Sequence, residues 1–447
     1  MERIMTRLYM TRRDLIKRSG LIAAGTVCSP LVALVAGMEE RKEDWAAMRE
    51  DPVHKMISGK PDLDRILRLF PRTTGKAAFD CALIAENIRR LETEPAIETG
   101  HSFLDLSVKT GLAHIDATFR GDHPKYGVGA YEADRHDGFP PTIIAAVDAL
   151  SAWGMSVRAA QLLRYWLSSF VREDGTIKYY GPSISEYGQL LHTAGLLEER
   201  AGTADWLHDG FDALDRIAEY LLRLRAAAVK DDGLISGSPE ADTRKNVGKY
   251  FHNNAWVAKG LRRWADLCER QKASPSTTIP AMRRTAAALA EDTLRAIRKT
   301  WPKDPSDWWL PPQVGSLARP SCLTGSGKAS YTNYRYWPEL LSSGLLPSDM
   351  ANRIVDARLT AGGQFCGMTR FSDHLDDWPL ADYLYGLWLL GRKSDFLLSL
   401  YGHIAYHQAE RHLTAYEQVS FPPGKRVADY CLPCQLVAAR AARLLVK

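Results

Sequence analysis

The chain has 447 residues, 45% of them hydrophobic, and 58 Lys and Arg against 53 Asp and Glu give a formal charge of +5. That is enough apolar material for a large core. The charge is too small, and too little interleaved with aromatics, for phosphate-dominated nucleic-acid binding.

At the N-terminus, Arg12 and Arg13 precede an apolar run from Leu21 to Ala36 and a small-residue exit near Gly37. A basic segment followed by an apolar segment too short to span a bilayer resembles a twin-arginine export signal. The expectation is a signal at residues 1–37, the twin-arginine export machinery as a transient partner, and a periplasmic or secreted protein. Removing Arg3, Arg7, Arg12, Arg13, Lys17 and Arg18 together with Glu2 and Asp14 takes away +4 and leaves about +1. The remaining 38–447 reads as one domain.

Past that segment the helical period dominates. Leu162, Leu163, Trp166, Leu167 and Phe170 form one apolar stripe. Phe211, Leu214, Ile217, Leu221 and Leu222 form a second, and Trp256, Val257, Leu261, Trp264 and Leu267 a third. Stripes at this spacing are core faces of amphipathic helices. Short turns near Gly154, Gly202, Pro275, Gly344 and Gly391 join helices in pairs, and long polar, aromatic loops begin at Arg120, Arg172, Lys230, Pro302, Ala361 and Arg411. In antiparallel helix pairs the short turns lie at one end and the long crossings at the other, so all six loops share one face. A helix over 429–446 paired with one at 76–91 or 102–119 closes a ring. Alternating strand patterns are nearly absent. The predicted class is therefore all-α, an (α/α)6 toroid of six helical hairpins, and the unequal loops argue against an open solenoid.

Most carboxylates on the loop face have plain structural readings. Ser183 and Glu186 have capping-box spacing ahead of a helix, and Asp174-Gly175 and Asp232-Gly233 are turn pairs. Asp134 and Asp137 flank Arg135 before Pro140 and Pro141; they either cap the following helix or hold Arg135 for sugar hydroxyls. Cys431 and Cys434 form a lone CxxC, which lacks the second pair of a zinc ribbon and reads as packing, a local disulfide or a redox pair. His403 and His407 lie one helical turn apart, with Ile404 where a zinc protease helix has its glutamate. No metal or cofactor is expected.

Glu240 lies in a long loop running through Tyr250, Asn253 and Asn254 into the helix "WVAKGLRRWADL", and Glu417 lies in "LTAYEQVSFPPG" before the last helix. With "YEADRHDGFPPTIIAAVDALSAWG" further upstream, the order of these segments resembles the glucoamylase family within the six-hairpin glycosidases. The resemblance implies an inverting glycoside hydrolase acting on a carbohydrate, with Glu240 as general acid, Glu417 as general base, and Arg135 with Asp137 holding the terminal sugar. Two departures stand out. Ser238 and Pro239 precede Glu240 where the family has a tryptophan, and "ADRHD" replaces its Trp-Pro-Arg-Asp.

Sugar rings present CH faces as well as hydroxyls, which makes flat apolar side chains beside polar ones natural subsite material. Trp309, Trp337, Tyr250 and Asn253 are candidates on this ground, and Asp377 is a neighbouring carboxylate on the same face. Two other readings stay open. A lyase or unsaturated uronyl hydrolase on the same toroid would draw on Tyr250, His252, Arg244 and Lys249, and a secreted sugar-binding protein would need none of this chemistry.

Overall fold

The computed structural model describes residue 97, residue 99 and residues 102–446, apart from residues 180, 182, 203–204, 304–307, 316–322, 325–327, 366, 409–412 and 421–430. The export signal expected at residues 1–37 and the alternative partner helix at 76–91 lie outside the described residues.

The helices in chain order are α1 (Ser102–Thr118), α2 (Pro140–Ala152), α3 (Ser156–Phe170), α4 (Ile184–Ala201), α5 (Phe211–Ala228) and α6 (Phe251–Arg270). Then come α7 (Ile279–Thr300), α8 (Trp337–Ser343), α9 (Ser348–Thr360), α10 (Leu380–Leu389), α11 (Lys393–Tyr406) and α12 (Val437–Leu445). They form an (α/α) toroid. Helices α2, α4, α6, α8, α10 and α12 each pack on the next, and α12 packs back on α2, which closes the inner ring. Outside it, α3, α5, α7 and α11 lie on α2, α4, α6 and α10. Helix α1 lies on α12, which completes the sixth pair, and α9 follows α8 through the turn at Gly344.

The apolar stripes are what turn inward. Leu162, Leu163, Trp166, Leu167 and Phe170 of α3 are all buried, as are Trp256, Val257, Leu261, Trp264 and Leu267 of α6. At the short turns, Gly202 (φ 67°) and Gly344 (φ 71°) end their helices in the left-handed region, where a side chain would be strained. At the other end of α4 the capping box forms as its spacing predicts: Ser183 accepts from the helix backbone and Glu186 accepts from the Ser183 amide at 3.0 Å.

Helices α4 and α6 approach closely because glycines face each other. A Cβ on Gly260 would overlap the Gly188 carbonyl, and one on Gly188 would overlap that of Trp256.

Every inner helix starts on the loop face, and the loops are tied to one another there. Leu432 N donates to Tyr126 O (2.8 Å), Phe251 N to Pro312 O (3.0 Å), Val314 N to Lys249 O (3.2 Å) and Asp377 N to Glu417 O (3.1 Å).

One feature escapes the sequence reading. Four short strands, β1 (Gln364–Phe365), β2 (Met368–Arg370), β3 (His374–Asp376) and β4 (Gln418–Ser420), form an antiparallel sheet in that order. At two or three residues each they are too short to show alternation. The sheet pairs Asp376 with Gln418 and so fixes where the Glu417 loop sits.

Candidate active site

Glu240 is presented by the loop between α5 and α6, which is closed by reciprocal hydrogen bonds between Gly237 and Gly248. Its base is braced by Asn253. That side chain accepts from Ser183 Oγ (2.9 Å) and Ser185 N (3.1 Å) and donates to Ser238 O (2.9 Å). Glu240 is 4% exposed; Oε2 accepts from Asp242 N at 3.2 Å, while Oε1 makes no hydrogen bond among the described residues. Burial raises its pKa above the usual carboxylate range, and the Arg335 guanidinium, with Nη1 at 3.7 Å from Oε2, opposes that rise.

Arg335 comes from a π-helical turn, Thr332–Tyr336, just ahead of α8. Such turns are rare and occur frequently at functional sites. Its Nη2 donates to Glu186 Oε1 at 2.7 Å, its Nε donates to Glu339, and its Cζ lies 4.7 Å from the ring centre of Trp378. One buried cation thus stands among three buried carboxylates. Burial pushes Glu186 up to about 7 against the pull of Arg335. No sequence motif marks either Arg335 or Glu339.

Glu417 precedes β4 and is 8% exposed, against 4% for Glu240. Tyr126 Oη donates to Glu417 Oε2 at 3.2 Å. Burial raises its pKa to about 7; hydrogen bonds from Tyr131, Cys431 and Tyr126 hold it down, and the Asp242 charge pushes it up. Asp242 likewise raises Glu240. The carboxylates of two loops far apart in sequence therefore sense one shared neighbour. Ala241 and Ala415 lie in one apolar cluster with Tyr126, Phe139, Cys431 and Cys434, which is how the two loops meet. Asp376 is also close: burial and the Glu417 charge raise it well above its ordinary value, while Trp378 N (3.0 Å) and Gln418 Nε2 (2.7 Å) donate to it.

The other sequence candidates are distributed differently. Arg135 is exposed and its Nε donates to His136 Nε2 at 3.1 Å. Asp137 does not pair with it. Asp134 and Asp137 both accept from Lys125 Nζ, at 2.8 and 2.9 Å, and Asp137 also meets His123 Nε2 at 2.8 Å. Helix α2 has no side-chain cap, so these acids serve a buried lysine and neither expected role. Tyr250 is buried, edge-on to Tyr336 at 5.3 Å, and Asn253 is the loop brace described above. Trp309 and Trp337 lie against each other at 5.2 Å inside the main core, which places them in packing. Asp377 is fully buried and turned to the histidines: Oδ2 is 2.8 Å from His403 Nδ1 and 3.5 Å from His407 Nε2. Burial raises it to about 6.

Two of the residues invoked for a lyase are also engaged. His252 is buried, held by Pro239 O at 3.1 Å and pushed by burial down to about 3, so it stays neutral. Lys249 is bound by Asp231 and Asp232.

A chain of aromatic rings begins at Tyr126, the donor to Glu417. Tyr126 lies 4.7 Å from Tyr131 and 5.3 Å from Phe139; Phe139 stacks on Tyr179 (5.0 Å) and Trp378 (6.1 Å), and Trp378 reaches Tyr334 at 6.3 Å. These rings come from four loops.

No family model matches the chain, and no curated protein matches it by sequence. Solved structures do match. A glycosidase is similar with a TM-score of 0.56 and 15% identity, covering 77% of this chain and 97% of its own. A bacterial glucoamylase complexed with acarbose gives 0.51 and 13%, over 76% of this chain and 54% of its own. An unsaturated glucuronyl hydrolase specific for heparin gives 0.50 and 12%, over 77% and 97%. At these identities the likeness shows the fold: this chain has the toroid of those enzymes.

Proposed function

We propose that the chain is a glycoside hydrolase whose crater holds a sugar between Glu240 and Glu417 and cleaves the glycosidic bond with inversion. The observation that carries this reading is the convergence of two buried carboxyl groups from separate loops, each raised by burial and by Asp242, beside a chain of aromatic rings. Glycoside hydrolysis needs one carboxyl group that keeps its proton near neutral pH and one that works ionised. Glu240, enclosed and with one oxygen unengaged, fits the group that donates to the leaving oxygen. Glu417, which accepts from Tyr126, fits the base: its donors favour the ionised form against the rise to about 7 that burial imposes, and they fix its orientation on water.

The charge around this pair also bears on the substrate. Its nearest buried cation, Arg335, is already engaged by Glu186 and Glu339, and Lys249 is engaged by two aspartates. These two cations are therefore already committed to acids and poorly placed to receive a uronate carboxylate. A sugar without an acid group is the better match, and this weighs against the uronyl hydrolase and lyase readings.

We further propose that residues 1–37 direct twin-arginine export, so that 38–447 acts in the periplasm or outside the cell.

The experiment is turnover of a panel of aryl glycosides and oligosaccharides, with the first-formed anomer read by proton NMR. Inversion, with loss of activity in both Glu240→Gln and Glu417→Gln, is the expected result. A retained anomer, an ultraviolet-absorbing unsaturated product, or sugar binding without turnover would each overturn it. An inverting pair should also stand roughly 6.5–9.5 Å apart in a sugar complex.

A further inference from the structure

The CxxC pair is not absorbed by this reading, yet it lies against the proposed base. Cys431 and Cys434 are both free thiols, fully buried. Cys431 stands at the N-cap of a helical turn, Leu432–Gln435, ahead of α12. That turn is fastened to the loop carrying Tyr126 by the Gly127–Cys431 bridge and by Leu432 N donating to Tyr126 O. Tyr126 in turn donates to Glu417. Cys431 and Cys434 lie in one buried cluster with Tyr126 and with Ala415, two residues before Glu417, and Cys431 is among the groups that hold the Glu417 carboxyl down.

We infer that Cys431 is a positioning residue for Glu417: Cys434 donates its S–H to Cys431 Sγ, and Cys431 donates its own S–H to the Glu417 carboxylate. The inference rests on Glu417 being the base. Burial raises both thiols above their ordinary range, which keeps them protonated and therefore able to donate. The same burial argues against a redox pair, since the thiolate is the reactive form. A metal site would need further ligands, and no group of three or more His, Cys, Asp or Glu able to hold a metal exists among the described residues.

Glu417 faces several other groups that a pH argument must include. Tyr126 and Tyr131 reach it from the loop before α2, Asp242 from the loop before α6, Tyr334 from the π-helical turn and Asp376 from β3. The acids raise it, and the hydroxyl and thiol donors to it oppose them. Losing one donor destabilises the ionised form, so the Glu417 pKa rises. Activity that requires ionised Glu417 increases with pH through that pKa, so the acidic limb moves to higher pH.

The test compares Cys431→Ala, Cys431→Ser and Cys434→Ala with the unaltered protein in three readouts. These are the pH profile of kcat on an aryl glycoside, infrared titration of the Glu417 carboxyl assigned by difference against Glu417→Gln, and the S–H stretch. Cys431→Ala should move the acidic limb upward by about one unit, which is about a tenfold loss of rate below the limb. Cys431→Ser, which keeps a donor, should restore it. The unaltered protein should show an S–H band shifted by hydrogen bonding and absent from Cys431→Ala. A Cys431–Cys434 disulfide in the native protein, an S–H band at the free position, or an unmoved Glu417 titration in folded Cys431→Ala overturns the inference. If Glu417→Gln keeps its activity and acidic limb, the assignment of the base fails; the infrared titration then still decides whether the thiol acts on Glu417.

Discussion

Arg335 Nη1 stands 3.7 Å from Glu240 Oε2, and the same guanidinium donates to Glu186 and Glu339. All four side chains are buried. The proposed acid is therefore not isolated in an apolar pocket; it shares one cation with two other carboxylates, and desolvation and that cation set its protonation in opposite directions. Removing one partner of a buried ionic cluster leaves charges uncompensated.

Arg335→Met is expected to cost about 3–5 kcal/mol of stability, read by denaturant unfolding. Arg335→Lys should recover only part of it, because a lysine cannot serve Glu186 and Glu339 with one rigid fork. In the folded lysine variant, the pH limb assigned to Glu240 should also move. An unchanged melt and profile would show that the cluster does not govern the site.

Through Glu186 alone, stability should fall as pH rises from about 4.5 to about 7, while the buried neutral His252 and His403, whose pKa values burial depresses, act in the opposite sense. Glu186 has its pKa raised from 4.5 to about 7, so the folded state binds its proton more tightly than the unfolded chain does. Its contribution is fully present below 4.5 and lost as pH passes through 7. A shift of this size corresponds to roughly 3 kcal/mol, and Glu417 adds a contribution of the same sign. The unfolding free energy of the parent relative to Glu186→Gln should fall as pH rises across this range, and a constant difference would refute the assignment.

Gly260→Ala should destabilise the fold by about 1–3 kcal/mol through overpacking, because the new methyl group meets the Gly188 backbone and no flexible side chain. The pH dependence of the remaining activity should be unaltered. A stability within about 0.5 kcal/mol of the parent would mean that α4 and α6 separate easily.

Replacing Arg12 and Arg13 together with lysine should leave the precursor in the cytoplasm, read by cell fractionation. Equal export of the variant would remove the twin-arginine proposal and leave the crater chemistry untouched.

The sequence by itself determined what is local. The stripes of α3 and α6, the Ser183–Glu186 capping box and the glycine turns at Gly202 and Gly344 depend on residues within a turn or two, and helical period expresses them directly. The alternation of short turns with long loops also fixed which ends of the helices share a face. Tertiary structure alone decided which polar groups meet. Arg335 and Glu186 are 149 positions apart, and no spacing rule links them. Glu417 is positioned by β4 pairing with β3, strands of three residues that carry no period of their own. Lys125 takes the acids that seemed matched to Arg135, and His403 takes Asp377. Trp309 and Trp337 show the same limit from the other side: an aromatic beside a loop has the same residue type whether it faces a sugar or the core, and only closure of the ring turned these two inward.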